Sequence, residues 1–136
     1  MDFCGFEKDV FYYWKSIWTQ EPMVHVLPHW TWPGKKGETI RFEAYSNCDE
    51  VELFVNGVSQ GRKRHERGKI SAWNLTYEPG TLRAVGYRNG AEAAFELHET
   101  AGEPDHIELR CVYDGEEQKL IQARVTDKEG RLCPHS

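Results

Sequence analysis

Ser46-Asn47-Cys48-Asp49-Glu50-Val51-Glu52-Leu53-Phe54-Val55-Asn56-Gly57 is the stretch from which the fold can be read. Val51, Leu53 and Val55 alternate with Glu50, Glu52 and Phe54, the period of two that sets an apolar strand face against a polar one. Asn56-Gly57 then supplies a two-residue turn that tolerates positive φ at both positions, so the chain folds back through Val58 to Gly61. Toward the N-terminus, Ile40, Phe42 and Ala44 alternate with Thr39, Arg41 and Glu43, and Met23 to Leu27 reads as a short strand ended by Pro28. Toward the C-terminus, Ser71, Trp73, Leu75 and Tyr77 face opposite to Ile70, Ala72, Asn74 and Thr76, before the turn Glu78-Pro79-Gly80. Leu82, Ala84 and Gly86 face opposite to Thr81, Arg83, Val85 and Tyr87. Asn89-Gly90 is a second hairpin signal, and Ala91 to His98 returns.

About seven short strands between residues 23 and 99, separated by turn signals, predict a mainly β chain built on an immunoglobulin-like antiparallel β-sandwich over residues 22–100. The flanks differ. Val10, Tyr13, Trp14, Ile17 and Trp18 follow the spacing of one helical face, Asp9 can serve as cap or first-turn acid, and the helix is expected from Val10 to Gln20, with Pro22 beyond it. Phe11 and Tyr12 widen its aromatic load, and a helix this short must dock to persist. Ala101-Gly102-Glu103-Pro104 reads as a linker. Beyond it Ile107, Leu109 and Cys111 form a strand, Leu120 to Thr126 another, and Asp127-Lys128-Glu129-Gly130 a turn. Two strands and the start of a third make an incomplete second sandwich over residues 101–136. Both ends therefore read as cut from a longer chain, whose exposed apolar faces and strand edges invite self-association.

Composition excludes several functions. The 136 residues carry a formal charge of −5 with no extended Lys/Arg block, which argues against a nucleic-acid or anionic-membrane partner. No run approaches the ~18–20 apolar residues of a membrane helix. Cys4, Cys48, Cys111 and Cys133 form no Cys-x-x-Cys pair, so free thiols are expected rather than a zinc knuckle. His25-x-x-x-His29 has the spacing of a helical metal pair, but Pro28 and the strand pattern deny it a helix. No metal site and no cofactor are expected.

Asp2-Phe3-Cys4-Gly5-Phe6-Glu7-Lys8-Asp9 followed by Tyr12-Tyr13-Trp14-Lys15-Ser16-Ile17-Trp18 resembles the end of the catalytic barrel in family 2 glycoside hydrolases of the β-galactosidase type, which often read D-x-x-G-F-P-K-D here; Glu7 stands in place of the proline. His29-Trp30-Thr31-Trp32-Pro33-Gly34 is similar to the H-W-N-W-x-G stretch that opens the sandwich after the barrel, and residues 46–57 to its S-N-C-D-x-V-E-L-x-x-N-G stretch. Tyr77 to Leu82, Ala84 to Tyr87 and Thr100 to Pro104 extend the match over nearly the whole chain. The resemblance implies that residues 1–21 are the last helix of a truncated TIM barrel, and that the chain is the non-catalytic C-terminal region of an enzyme hydrolysing terminal β-galactosides. Its two glutamates lie upstream, so the chain is expected to be inactive alone, with the catalytic barrel and further domains as partners. The compartment stays open, a secreted or periplasmic parent being compatible with the family. The resemblance also sets Asp2 to Asp9 where a barrel lines its substrate cleft or caps its last helix; Phe3, Cys4, Phe6 and Lys8 are the cleft candidates in a full enzyme.

Other residues invite functional readings with plain alternatives beside them. Trp30, Trp32 and Trp73 are candidate sugar-stacking platforms, as in a carbohydrate-binding module; otherwise Trp30 and Trp32 fill the joint between helix and sandwich, and Trp73 the core. Glu50 and Glu52 read as a solvent-facing row, Glu96 and Glu99 lie on opposite strand faces, and Glu116 and Glu117 flank a turn. The basic run Arg62 to Lys69 reads as an exposed loop. A protein-interaction module of immunoglobulin type is the remaining alternative.

Overall fold

A computed structural model describes residues 8–116 and 118–134. These divide into two compact units, one spanning Asp9–Thr100 and one from Ala101 onward.

The first unit begins with α1 (Asp9–Trp18), then β1 (Val24–Leu27), β2 (Thr39–Ser46), β3 (Glu50–Val55), β4 (Val58–Arg64), β5 (Ser71–Thr76), β6 (Thr81–Arg88) and β7 (Ala91–Glu99). The strands form two antiparallel sheets, ordered β1-β2-β5 and β4-β3-β6-β7, which is the immunoglobulin-like sandwich the alternation predicts. Both hairpin signals hold. Asn56 and Gly57 have φ of 48° and 82°, and Asn89 and Gly90 have 53° and 77°, the left-handed pairs whose twist matches the flanking strands.

Between the sheets, Val24, Val26, Phe42, Ala44, Trp73 and Leu75 from one side meet Val51, Leu53, Val55, Leu82 and Ala84 from the other, with Trp30 and Tyr77 entering from the connections. Gly86 is dictated by packing: a Cβ there would lie 2.7 Å from the Cys48 sulfur. The Tyr77 hydroxyl shares a 3.2 Å hydrogen bond with Thr100 Oγ1, and Thr100 Oγ1 donates to the Trp30 carbonyl at 2.9 Å. The end of β7 is thereby tied to the loop after β1.

Two expectations are corrected. α1 ends at Trp18 rather than Gln20, because side chains of the sandwich take the carbonyls beyond it. The basic run is not all loop: Arg62, Lys63 and Arg64 belong to β4, where each pairs across to β3. Long cations suit this strand because it is a sheet edge, where charge discourages a second chain from pairing. In β7 the larger apolar residues Phe95 and Leu97 face solvent, while Ala94, Glu96 and His98 are half-buried.

In the second unit β8 (His106–Asp114) and β9 (Lys119–Thr126) pair antiparallel, and Leu132 bridges back to Thr126. Asp127 organises the connections. Its carboxylate accepts the Gly102 N–H at 2.7 Å, the Glu129 and Arg131 N–H groups at 2.9 Å, and Arg131 Nε at 2.8 Å. Led by the Gly102 bond, these donors outweigh burial and hold its pKa well below the usual carboxylate range. Ile107, Leu109 and Ile121 are exposed.

Candidate functional site

The chemistry of the first unit concentrates where α1 meets the sandwich. The motif at Ser46 to Asp49 builds half of this joint. Asn47 is buried and works in both directions: Oδ1 accepts the Met23 N–H at 2.9 Å, while Nδ2 donates to the carbonyls of Thr19 at 3.0 Å and Glu21 at 2.7 Å. The amide offers one oxygen acceptor and two N–H donors from separate atoms of one short side chain. Ser46 Oγ donates to the Met23 carbonyl at 2.6 Å and accepts the Cys48 N–H at 3.0 Å. Asp49 accepts the Asn89 N–H at 2.9 Å. Arg88 Nη1 donates to the Gln20 carbonyl at 2.9 Å and Arg67 Nη1 reaches the Ile17 carbonyl at 3.5 Å. Cations and amide donors thus converge on the carbonyl end of the helix, where its dipole is negative.

The other half centres on His25 in β1, whose side chain leaves the core face that Val24 and Val26 occupy. Its Nε2 is 2.9 Å from Asp9 Oδ1 on α1, and its Nδ1 is 3.0 Å from Glu96 Oε1 on β7. Tyr12 stacks on the ring at 3.9 Å between centroids. Glu96 also accepts the Val26 N–H at 2.7 Å, and His98 Nε2 lies 3.1 Å from its second oxygen. Burial pushes the His25 pKa down, but the carboxylates of Glu96 and Asp9 more than offset this and leave it raised. Burial pushes Glu96 up, and its bonds from His25 and His98 overcome this, so its carboxyl titrates at about 2. Tyr13 adds a third attachment, donating to the Gly68 carbonyl at 3.1 Å while its ring meets Tyr45 edge-on.

The helix uses only one face for this. Val10, Phe11, Trp14 and Trp18 are exposed, Trp14 at 46% and Trp18 at 74%, and the two indoles stack with centroids 5.6 Å apart.

Among the residues singled out from sequence, Lys8 is exposed, and Phe3, Cys4 and Phe6 lie outside the described residues. Trp30 and Trp73 are core residues at 1% and 4% exposure, so neither presents a ring face to a sugar. Trp30 packs against Phe42 and Tyr77, and Trp73 donates to the Gly61 carbonyl at 3.2 Å with Lys63 Nζ above its ring. Trp32 is half-buried, stacked on His29 with its Nε1 donating to the His29 carbonyl at 2.9 Å. The acidic row also needs correction: Glu52 is mostly covered and accepts Ser59 Oγ at 2.6 Å, Tyr87 OH at 2.8 Å and Arg62 Nε at 3.2 Å. The Ser59 bond, then those from Tyr87 and Arg62, lower its pKa against the opposing effect of burial. The sequence reading missed the His25–Glu96 pair because 71 residues separate its members. The available signal was Glu96 and His98 sharing a strand face.

Comparison with known proteins adds to this geometry. A family model described as a domain of unknown function, DUF4982, matches residues 37–94. The β-galactosidase BoGH2A of Bacteroides ovatus is 38% identical over 141 residues, covering 98% of this chain and 16% of that protein. A β-glycosidase from Bacteroides vulgatus superposes with a TM-score of 0.89 at 39% identity, over 100% of this chain and 18% of that one. A β-glucuronidase from glycoside hydrolase family 2 superposes with a TM-score of 0.84 at 32% identity, over 95% of this chain and 14% of its own. The chain thus spans less than a fifth of the length of each of these proteins. In sequence along almost its full extent and in fold, the chain belongs to the family 2 glycoside hydrolases.

Proposed function

We propose that this chain is a non-catalytic accessory region of a family 2 glycoside hydrolase acting on terminal β-galactosides, and that it buttresses the catalytic barrel through α1. The observation that carries this reading is the two-sided helix. One side of α1, with Ser16 buried, is fastened to the sandwich by Tyr12, Tyr13 and the His25 cluster, while Val10, Phe11, Trp14 and Trp18 form an uncovered apolar face. An exposed apolar stripe of this kind on a well-anchored element marks a protein contact. Covering such side chains stabilises a contact by roughly 1.5–3 kcal/mol each when burial is complete. The galactoside reading rests on the relative named a β-galactosidase. A β-glucuronide is the second reading, favoured by the neighbour named a β-glucuronidase.

Two measurements test the proposal. The purified chain is expected to release no chromophore from nitrophenyl β-galactoside or β-glucuronide; turnover that copurifies with the chain would sink the non-catalytic reading. The barrel-containing portion of BoGH2A, expressed without the segment matching this chain, is expected to bind the chain in calorimetry. Trp18→Ser should weaken that binding about tenfold or more, a loss of at least ~1.4 kcal/mol. Absence of binding by the native chain would sink the buttress.

A further inference from the structure

We infer that a proton on His25 fastens α1 to the sandwich, so that the joint loosens when this proton leaves. Both ring nitrogens face carboxylates, Nε2 toward Asp9 on the helix at 2.9 Å and Nδ1 toward Glu96 on β7 at 3.0 Å. An imidazolium donates from both nitrogens, whereas a neutral imidazole has one N–H and one bare lone pair. Loss of the proton therefore converts one of the two contacts from a charge-assisted hydrogen bond into a lone pair facing an anion.

The structure indicates which contact is lost. Glu96 holds further donors in the Val26 N–H at 2.7 Å and His98 Nε2 at 3.1 Å, and it is the more buried carboxylate. Asp9 is half-exposed and has no second side-chain donor among the described residues, so the neutral ring keeps its proton toward Glu96 and turns its lone pair on Asp9. The surrounding groups sharpen the switch. Tyr12 stacks on the ring from α1; Tyr45 approaches it from β2, with Tyr13 edge-on behind; Glu43 lies further along β2, bonded to Arg41. Histidine is the side-chain type whose charge ordinarily changes in the physiological range, so His98, 3.1 Å from Glu96, is the neighbour that needs its own control.

The direction follows from linkage. The His25 pKa is raised above 6.5, so its contribution is complete below that value and is lost as pH rises through the folded-state pKa. Glu96 behaves oppositely: its contribution is complete above 4.5 and is lost as pH falls toward about 2. The joint is therefore tightest between the two unfolded values, and alkaline pH releases the helix without unfolding the core.

Amide hydrogen exchange of the full chain, corrected for intrinsic rates, tests this across about pH 5.5 to 9. Protection of Asp9–Trp18 is expected to fall about tenfold or more, the size expected for losing one charge-assisted hydrogen bond. Its midpoint should coincide with the His25 titration followed by NMR, while Phe42, Leu53 and Leu82 keep their protection. The half-exposed position of Asp9 makes Asp9→Asn a variant that folds, and it should flatten the transition; His98→Gln should leave it in place. Helix protection indifferent to pH, a loss shared equally by the core strands, or a transition that vanishes in His98→Gln would each overturn the inference. The readout needs neither barrel nor sugar, so it stands or falls apart from the buttress.

Discussion

Replacing Trp30 with alanine is expected to destabilise the first unit by about 3–5 kcal/mol, the range for losing a large aromatic from a packed core. Its indole is an almost fully buried core side chain at 1% exposure, with centroids 5.2 Å from Phe42 and 4.9 Å from Tyr77. The loss reaches past volume. Phe42 anchors β2, and the Trp30 backbone carbonyl receives the Thr100 hydroxyl that ties down the end of β7. Trp30→Phe should be much milder, since it retains a ring against both partners and Nε1 has no hydrogen-bond acceptor among the described residues. Guanidinium denaturation followed by far-ultraviolet circular dichroism gives both values. A change below about 1 kcal/mol in the alanine variant would show that the ring is not central to the core.

Asn47→Ala should cost about 2–3 kcal/mol, because three hydrogen bonds to residues 19–23 end on one buried amide. The lost partners are backbone groups, and those near Glu21 can recover water, which keeps the figure below the sum of three fully buried losses. Asn47→Asp is the sharper comparison. It keeps an acceptor for the Met23 N–H but sets a carboxylate oxygen against the carbonyls of Thr19 and Glu21. At neutral pH it is expected to be no better than alanine, and partial recovery is expected on acidification as the carboxyl regains a proton. Denaturation curves at about pH 4 and 7 for both variants check this; an aspartate variant equal to the native chain at neutral pH would remove the amide from the joint.

The sandwich was legible because its information is local. Period-two alternation in residues 39–45 and 50–55 and the two Asn-Gly corners fix strands, turns and hairpin register within a few residues of themselves. The joint was not legible in this way. His25, Asp9 and Glu96 come from three elements, and each alone reads as an ordinary surface residue; only the packing of β7 against β1 gives them a common site. The tryptophans left two readings open for a related reason. An aromatic ring suits a sugar platform and a core equally well, and burial decides between them, as it did for Trp30 and Trp73. Arg62 to Arg64 were mistaken for loop because charge was weighed without position: on an edge strand, cations are compatible with pairing on one side and solvent on the other. The family motif around Asn47 was visible as a string of letters, and its physical content became plain only with the three bonds it makes.

The two Asn-Gly corners will not age alike. An asparagine before glycine deamidates when the following backbone nitrogen attacks the side-chain carbonyl carbon and ammonia departs, leaving a succinimide that water opens to aspartate or isoaspartate. At Asn56 that amide is restrained at both ends, Nδ2 donating to the Pro79 carbonyl at 3.2 Å and Oδ1 accepting the Thr81 N–H at 2.8 Å. At Asn89 it is the backbone N–H that is held, by Asp49, while the residue itself is exposed. Peptide mapping of stored protein should find isoaspartate first at position 89, where the added main-chain carbon unpicks the corner between β6 and β7 and so, with time, the strand that carries Glu96.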